Sequence, residues 1–131
     1  MKIVISEPPK SKKNSMQIIK LGNRWAVTQS KQYKEYEKAC GKYLGDWKGE
    51  PIDYPCEVRC IYYMPSRRRV DMTNLMAATH DVLVKYGILE DDNRDIICSV
   101  DGSRVFYDKE NPRTEIEITP YKGEYDIWKS K

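Results

Sequence analysis

Apolar positions along the chain switch period several times, and each switch marks an element. In "KIVISEPP" Ile3 and Ile5 alternate with their neighbours and the run stops at Pro8-Pro9, the pattern of a short strand with a rigid exit. The next stretch, "KSKKNS", has no apolar member and reads as a solvated loop. In "MQIIKLGNRWAVTQS" two β-prone runs flank Leu21-Gly22-Asn23, and Gly22 or Asn23 can take the positive φ of a tight turn, so a hairpin is expected. From Ser30 the period turns helical. Tyr33, Tyr36, Cys40, Tyr43, Leu44 and Trp47 fall on one face, with Lys31, Lys34, Glu35, Lys38 and Lys42 between them. Such an aromatic stripe opposite charges reads as core packing, with stacking on exposed bases as the alternative.

"CEVRCIYYMP" returns to alternation: Cys56, Val58, Cys60, Tyr62 and Met64 share one face of a strand that ends at Pro65. After the loop "SRRR", Leu75, Met76, Thr79, Val82, Leu83 and Tyr86 define a second helix from Asp71 to about Tyr86, with Gly87 placed as its left-handed terminator. An acidic loop, "LEDDN", follows. "DIICSVDGSRVFYDK" then sets two β-prone runs around Asp101-Gly102, a hairpin signal, and "RTEIEITP" alternates Ile116 and Ile118 inward with Glu115 and Glu117 outward. In the tail, Trp128 is expected to pack weakly or fray. The expected order is β-hairpin-α-β-α-β-β: one α+β domain over residues 1–131, with a mixed or antiparallel sheet and two main helices on one face.

Composition narrows the class. With 131 residues there is room for one core, and 33% charged and 11% aromatic residues describe a folded, soluble chain rather than a disordered one. The net charge of +3 is unevenly spread: residues 1–50 hold eleven Lys/Arg against five Asp/Glu, and residues 51–131 hold twelve against fifteen. A basic region beside an acidic one suits a protein that draws in a polyanion and works on it through metal ions. Cys40, Cys56, Cys60 and Cys98 form no CxxC pair, and His80, the single histidine, has no cysteine at zinc-finger spacing, so buried thiols are the expectation. The first residues lack the pattern of a signal peptide and no stretch approaches a membrane span, so a cytoplasmic location is expected.

Residues 67–93, "RRRVDMTNLMAATHDVLVKYGILEDDN", set three arginines against four aspartates. Carboxylates at helix ends and in loops are the hard-oxygen ligands that Mg²⁺ accepts alongside water and substrate phosphate, and Asp71, Asp91 and Asp92 fit that requirement. Each also has a plainer role open to it: Asp71 as a helix cap, Asp91 and Asp92 as solubilising loop residues. An EF-hand is excluded, because Ile96 stands where the calcium loop needs glycine.

The ordered set "PPKSKKNS", "MPSRRRVDMTNL", "HDVLVKYGILEDDN" and "RTEIEI" resembles the RusA-like family of Holliday-junction resolvases, from the first strand to about Thr119. The family's centre is an arginine cluster, an Asp-x-Asp-Asn-Leu element, a helical aspartate and an Asp-Asp pair. Asp71, Asn74, Leu75, Asp81, Asp91 and Asp92 fall on those positions. The resemblance implies a Mg²⁺-dependent endonuclease, with Mn²⁺ as a possible substitute, acting on four-way and related branched DNA in recombination and repair and leaving 5′-phosphate and 3′-hydroxyl ends. Asp71 and Asp92 would hold the metal, with Asp91 assisting in catalysis. Lys10, Lys12, Lys13, Asn14, Arg67, Arg68 and Arg69 would contact DNA. Two positions depart from the pattern: Thr73 replaces the second aspartate of the element and Ala77 replaces a lysine one turn into the helix. Lys12 or Lys13 is the candidate substitute cation, and a non-catalytic protein binding branched or single-stranded DNA is the alternative function.

Helix length sets a geometric condition on such a site. Fifteen residues at about 1.5 Å each separate Asp71 from the acidic loop by roughly 20 Å, whereas ligands of one Mg²⁺ lie within about 5 Å of one another. Two copies with these helices antiparallel about a twofold axis would join Asp71 of one to Asp92 of the other, so a homodimer is expected, from this and from the resemblance. Asp81, about 15 Å along the helix from Asp71, is expected to pair structurally or support the site from behind, and His80 to lie partly exposed or at an interface.

Overall fold

Five strands gather into one mixed sheet, and two more form a hairpin of their own. The computed structural model describes residues 1–12 and 16–123. Lys13, Asn14 and the tail with Trp128 therefore lie outside the described residues. In chain order the elements are β1 (Lys2–Ile5), β2 (Met16–Leu21), β3 (Arg24–Gln29), α1 (Lys31–Leu44), β4 (Cys56–Met64), α2 (Met72–Lys85), β5 (Ile97–Ser99), β6 (Arg104–Tyr107) and β7 (Arg113–Pro120). β7 runs antiparallel to β1 on one side and to β4 on the other. The free edge of β4 takes β5 and β6, both parallel to it. The chain from β4 through α2 to β5 is thus a strand-helix-strand crossover, which parallel pairing requires.

Strand alternation decides where the core lies. Cys56, Val58, Cys60 and Tyr62 share the buried face of β4; Ile118 and Ile116 of β7 stand opposite Val58 and Cys60, and Ile5 of β1 joins them. Tyr36, Cys40 and Leu44 of α1 and Leu75, Val82 and Leu83 of α2 pack against the same cluster, so both helices cover one face of the sheet. The other face carries charge, including an Arg59–Glu117 pair at 3.7 Å. The fold is the expected α+β arrangement, and the α1 tyrosines Tyr33 and Tyr36 are core residues. The helical stripe reaches one residue type too far: α1 stops at Leu44, where the Gly45 N–H closes on the Gly41 carbonyl at 2.8 Å, and Trp47 packs from beyond the cap.

The hairpin expected around Asp101-Gly102 is corrected. Gly102 does turn the chain, with φ of +84°, but β5 and β6 do not pair with each other. Cys56 pairs with Ile97 and Ile61 with Arg104, so the two runs lie in succession along one edge of β4 as an interrupted strand. Ser103 seals the interruption: its hydroxyl accepts from the Cys60 N–H at 3.0 Å and donates to the Val100 carbonyl at 2.7 Å. The free edge of β4 offers more backbone partners than a local hairpin does, and the intervening turn serves as a bulge.

The expected β2–β3 hairpin is present, with Gly22 at φ +62°. It pairs with no strand of the main sheet and exposes Ile18, Val27 and Trp25.

Candidate active site

β4 ends at Met64, and the loop that follows delivers Arg67, Arg68 and Arg69 to the surface before α2 begins. Asp71 is the N-cap of α2: its Oδ1 accepts from the Thr73 backbone N–H at 3.1 Å and from the Thr73 hydroxyl at 2.7 Å. One orphan amide of the first turn is thereby satisfied, and the exposed carboxylate is held in one orientation. Arg67 lies with its guanidinium carbon 4.3 Å from the Tyr107 ring centroid. Asp71, the arginine loop and Tyr107 all sit at the carboxyl ends of the parallel strands β4 and β6, where open α/β sheets place their ligand crevices.

The other end of α2 is built differently. The helix stops at Gly87, φ +76°, with the Ile88 N–H reaching back to the Leu83 carbonyl at 2.9 Å, a left-handed cap that glycine alone adopts without strain. The chain is then pinned to the segment before β4, where the Ile52 N–H bonds the Ile88 carbonyl at 2.9 Å and the Glu90 N–H bonds the Ile52 carbonyl at 3.0 Å. Past that anchor the exposed loop is held mainly by its own side chains. Asp91 accepts from the Asp92 N–H at 2.7 Å and from the Asn93 side chain at 3.4 Å, and Asn93 accepts from the Asp95 N–H at 2.9 Å.

Within one chain these two acidic segments adjoin opposite ends of β4. The acidic loop leads into β5 beside Cys56, at the amino end of β4, while Asp71 follows its carboxyl end; a nine-residue strand spans roughly 26 Å at about 3.3 Å per residue. Among the described residues, no group of three or more His, Cys, Asp or Glu side chains is placed to hold a metal. His80 is half-buried, and burial pulls its pKa below the ordinary value, with the carboxylates of Asp92 and Asp81 opposing that shift.

Lys12 crosses α2. Its backbone N–H donates to the Asn74 carbonyl at 3.3 Å and its ammonium pairs with Asp81. Asp81 thus ties the basic loop to the helix. Lys10 lies apart from this contact, in a shallow cleft against α1 with Glu7, Glu35 and Lys42. The cysteines are all free thiols; burial pushes Cys40, Cys56 and Cys60 up to about 11 each.

Residues 7–119 match the family described as Endodeoxyribonuclease RusA. The chain belongs to the RusA family. A crossover junction endodeoxyribonuclease RusA from Aquifex aeolicus (strain VF5) is 36% identical over 47 residues, covering 36% of this chain and 37% of that protein.

Seen as a RusA-family site, the two departures acquire structural partners. Thr73, at the position of the absent aspartate, directs its hydroxyl to Asp71, so that position still governs the capping carboxylate, through a hydrogen bond and without a charge. Ala77 is exposed on α2 between Asn74 and Asp81, the two residues that Lys12 engages. Sequence reasoning gave no attention to Phe106 and Tyr107, which the structure leaves exposed near the arginine loop. Two successive aromatics in a strand point to opposite faces, which was a signal that at least one of them reaches the surface.

Proposed function

We propose that this chain is a divalent-metal-dependent endodeoxyribonuclease for branched DNA, acting as a homodimer whose two sites each combine Asp71 of one copy with Asp92 of the other. The observation that carries this reading is the separation of the acidic residues to opposite ends of α2 in a chain of the RusA family. Their donor chemistry fits Mg²⁺ or Mn²⁺: exposed carboxylates, one oriented by a cap and two in a loop free of apolar cover. Asp71 and Asp92 would hold the metal and Asp91 would orient the Asp92 loop through its backbone. When bound, the metal supplies a nucleophilic water near neutral pH and offsets charge on the phosphate.

The chain's own residues do the rest. Arg67, Arg68 and Arg69 hold flanking phosphates, a task independent of sequence whose affinity falls with salt. Those cations also offset repulsion between the carboxylates and the DNA. Lys12, bound to Asp81 and lying against α2, stands in for the lysine missing at Ala77. Hydrolysis joins a water oxygen to phosphorus and breaks the bond to the 3′ oxygen, which takes a proton, leaving 5′-phosphate and 3′-hydroxyl ends.

A labelled four-way junction incubated with Mg²⁺, Ca²⁺ or EDTA tests this. Wild type should nick symmetrically with Mg²⁺ alone, and Asp71→Asn and Asp92→Asn should each lower cleavage by about 10²- to 10³-fold, as loss of one electrostatic contact at a reacting centre does. Mixing the two inactive variants decides the assembly. In shared sites one heterodimer site keeps both acids and single-strand nicking returns; sites within one chain stay silent. The neutral residues at Thr73 and Ala77 favour a second reading, a branched-DNA binder without cleavage, which a band shift lacking nicks would establish.

A further inference from the structure

Between the arginine loop and β6 runs a groove of about 290 Å³ that the reaction above does not use. Met64, Val70 and Val105 form its apolar floor, Tyr107 its aromatic wall, and Arg67 its rim. We propose that this groove holds one unpaired base of the DNA strand, beside the phosphate that is cut. The proposal rests on the branched-DNA reading and adds to it a specific contact for the branch point.

Three observations converge on a base as the occupant. First, Tyr107 is 40% exposed, an aromatic surface left open in a strand whose same-face neighbour, Val105, is packed against the core. Any nucleobase has a π-face that such a ring can stack on, so the contact tolerates different sequences. Second, the guanidinium of Arg67 lies 4.3 Å from the Tyr107 centroid. A guanidinium placed over a ring can receive a phosphate through its N–H donors while a base stacks alongside. Charge thus selects a polyanion for this groove. Third, Arg67 precedes Asp71 by four residues, and four extended residues span at most roughly 14 Å. The groove is therefore within reach of the nucleotides that flank the cut.

The base must be unpaired, because in a duplex its faces are already stacked on neighbours. At a branch point the stack on an arm ends, so its terminal bases open at lower cost than those of a continuous duplex. The arginines contact backbone in either substrate, so Tyr107 should discriminate between them while Arg67 to Arg69 should not.

The test measures affinity in Ca²⁺ for a four-way junction and for an unbranched duplex of the same length, using wild type, Tyr107→Ala and Tyr107→Phe. Tyr107→Ala should weaken junction binding by about 5- to 150-fold, the range for losing one base-aromatic stack, and leave duplex affinity within about twofold. Tyr107→Phe keeps the ring and should bind as wild type does. Junctions carrying 5-iododeoxyuridine at the branch should cross-link to Tyr107 on irradiation. Unchanged junction affinity in a folded Tyr107→Ala protein, an equal loss for both DNAs, or a cross-link confined to another region would each overturn the proposal. So would a second copy of the chain found seated in the groove. The two readings fail separately: if wild type nicks junctions and Tyr107→Ala binds them normally, only the groove is lost. If wild type binds junctions through Tyr107 but never nicks, only the nuclease reading is lost.

Discussion

The two ends of α2 hold their acids by opposite means. At the amino end, Asp71 is fixed because the helix needs it: its carboxylate satisfies the first turn and Thr73 braces it from the side. At the carboxyl end, Asp91 and Asp92 sit in a loop that stabilises itself, anchored through the Ile52–Leu89 bridge and turned out by Gly87. One acid is therefore coupled to the stability of the fold and the others are nearly independent of it. A metal site assembled from both would join a stiff half to a compliant half, and the compliant half can adjust as DNA arrives.

Changing the stiff half should give the largest effect. Thr73→Asp restores a charged ligand beside Asp71 and should raise junction cleavage about tenfold, the equivalent of 1.4 kcal/mol at the barrier. Since two carboxylates in contact repel when no cation lies between them, the same variant should melt lower in EDTA and recover with Mn²⁺, which scanning calorimetry would show. Equal melting in both conditions would mean that no cation binds there. On the compliant side, Gly87→Ala forces a side chain into left-handed backbone and should cost about 1–2 kcal/mol in urea unfolding, while displacing the acidic loop enough to slow cleavage.

A smaller difference separates the acids themselves. Asp71→Ala removes a cap and should lower stability by about 1 kcal/mol, whereas Asp92→Ala should stay within about 0.5 kcal/mol, as exposed positions do. Similar losses for both would erase the asymmetry. The smallest effect concerns His80. Its folded pKa lies below the unfolded value near 6.5, so below that pH the unfolded chain takes up a proton that the fold resists. Stability is then lost as pH falls from about 7 toward the folded pKa. In His80→Gln the drop in melting temperature over that interval should shrink; an unchanged drop would assign it to other groups.

Much of this was legible in the residues. The stripe Tyr33, Tyr36, Cys40 and Leu44 and the alternation of Cys56 to Tyr62 are local periodicities, and burial follows them directly. Asp71 as a cap and Gly87 as a terminator were readable from helix-end chemistry. What escaped depends on distant partners. Two β-prone runs around Asp-Gly look alike whether they pair with each other or lie along a third strand, and only the vacant edge of β4 decides. Lys12 and Asp81 are likewise far apart in sequence and are brought together by the loop crossing α2. Thr79 looked like a member of an apolar stripe; it is buried because it donates to the Leu75 carbonyl and accepts from Tyr62.

The split between β5 and β6 protects the molecule from its own kind. A long, flat outer strand would offer a continuous row of backbone groups to any unfolded neighbour and seed fibres. Here the row is cut into pieces of three and four residues, and Ser103 ties the break to β4 and to the Val100 carbonyl. That margin of the sheet is consequently a poor template for adding further strands.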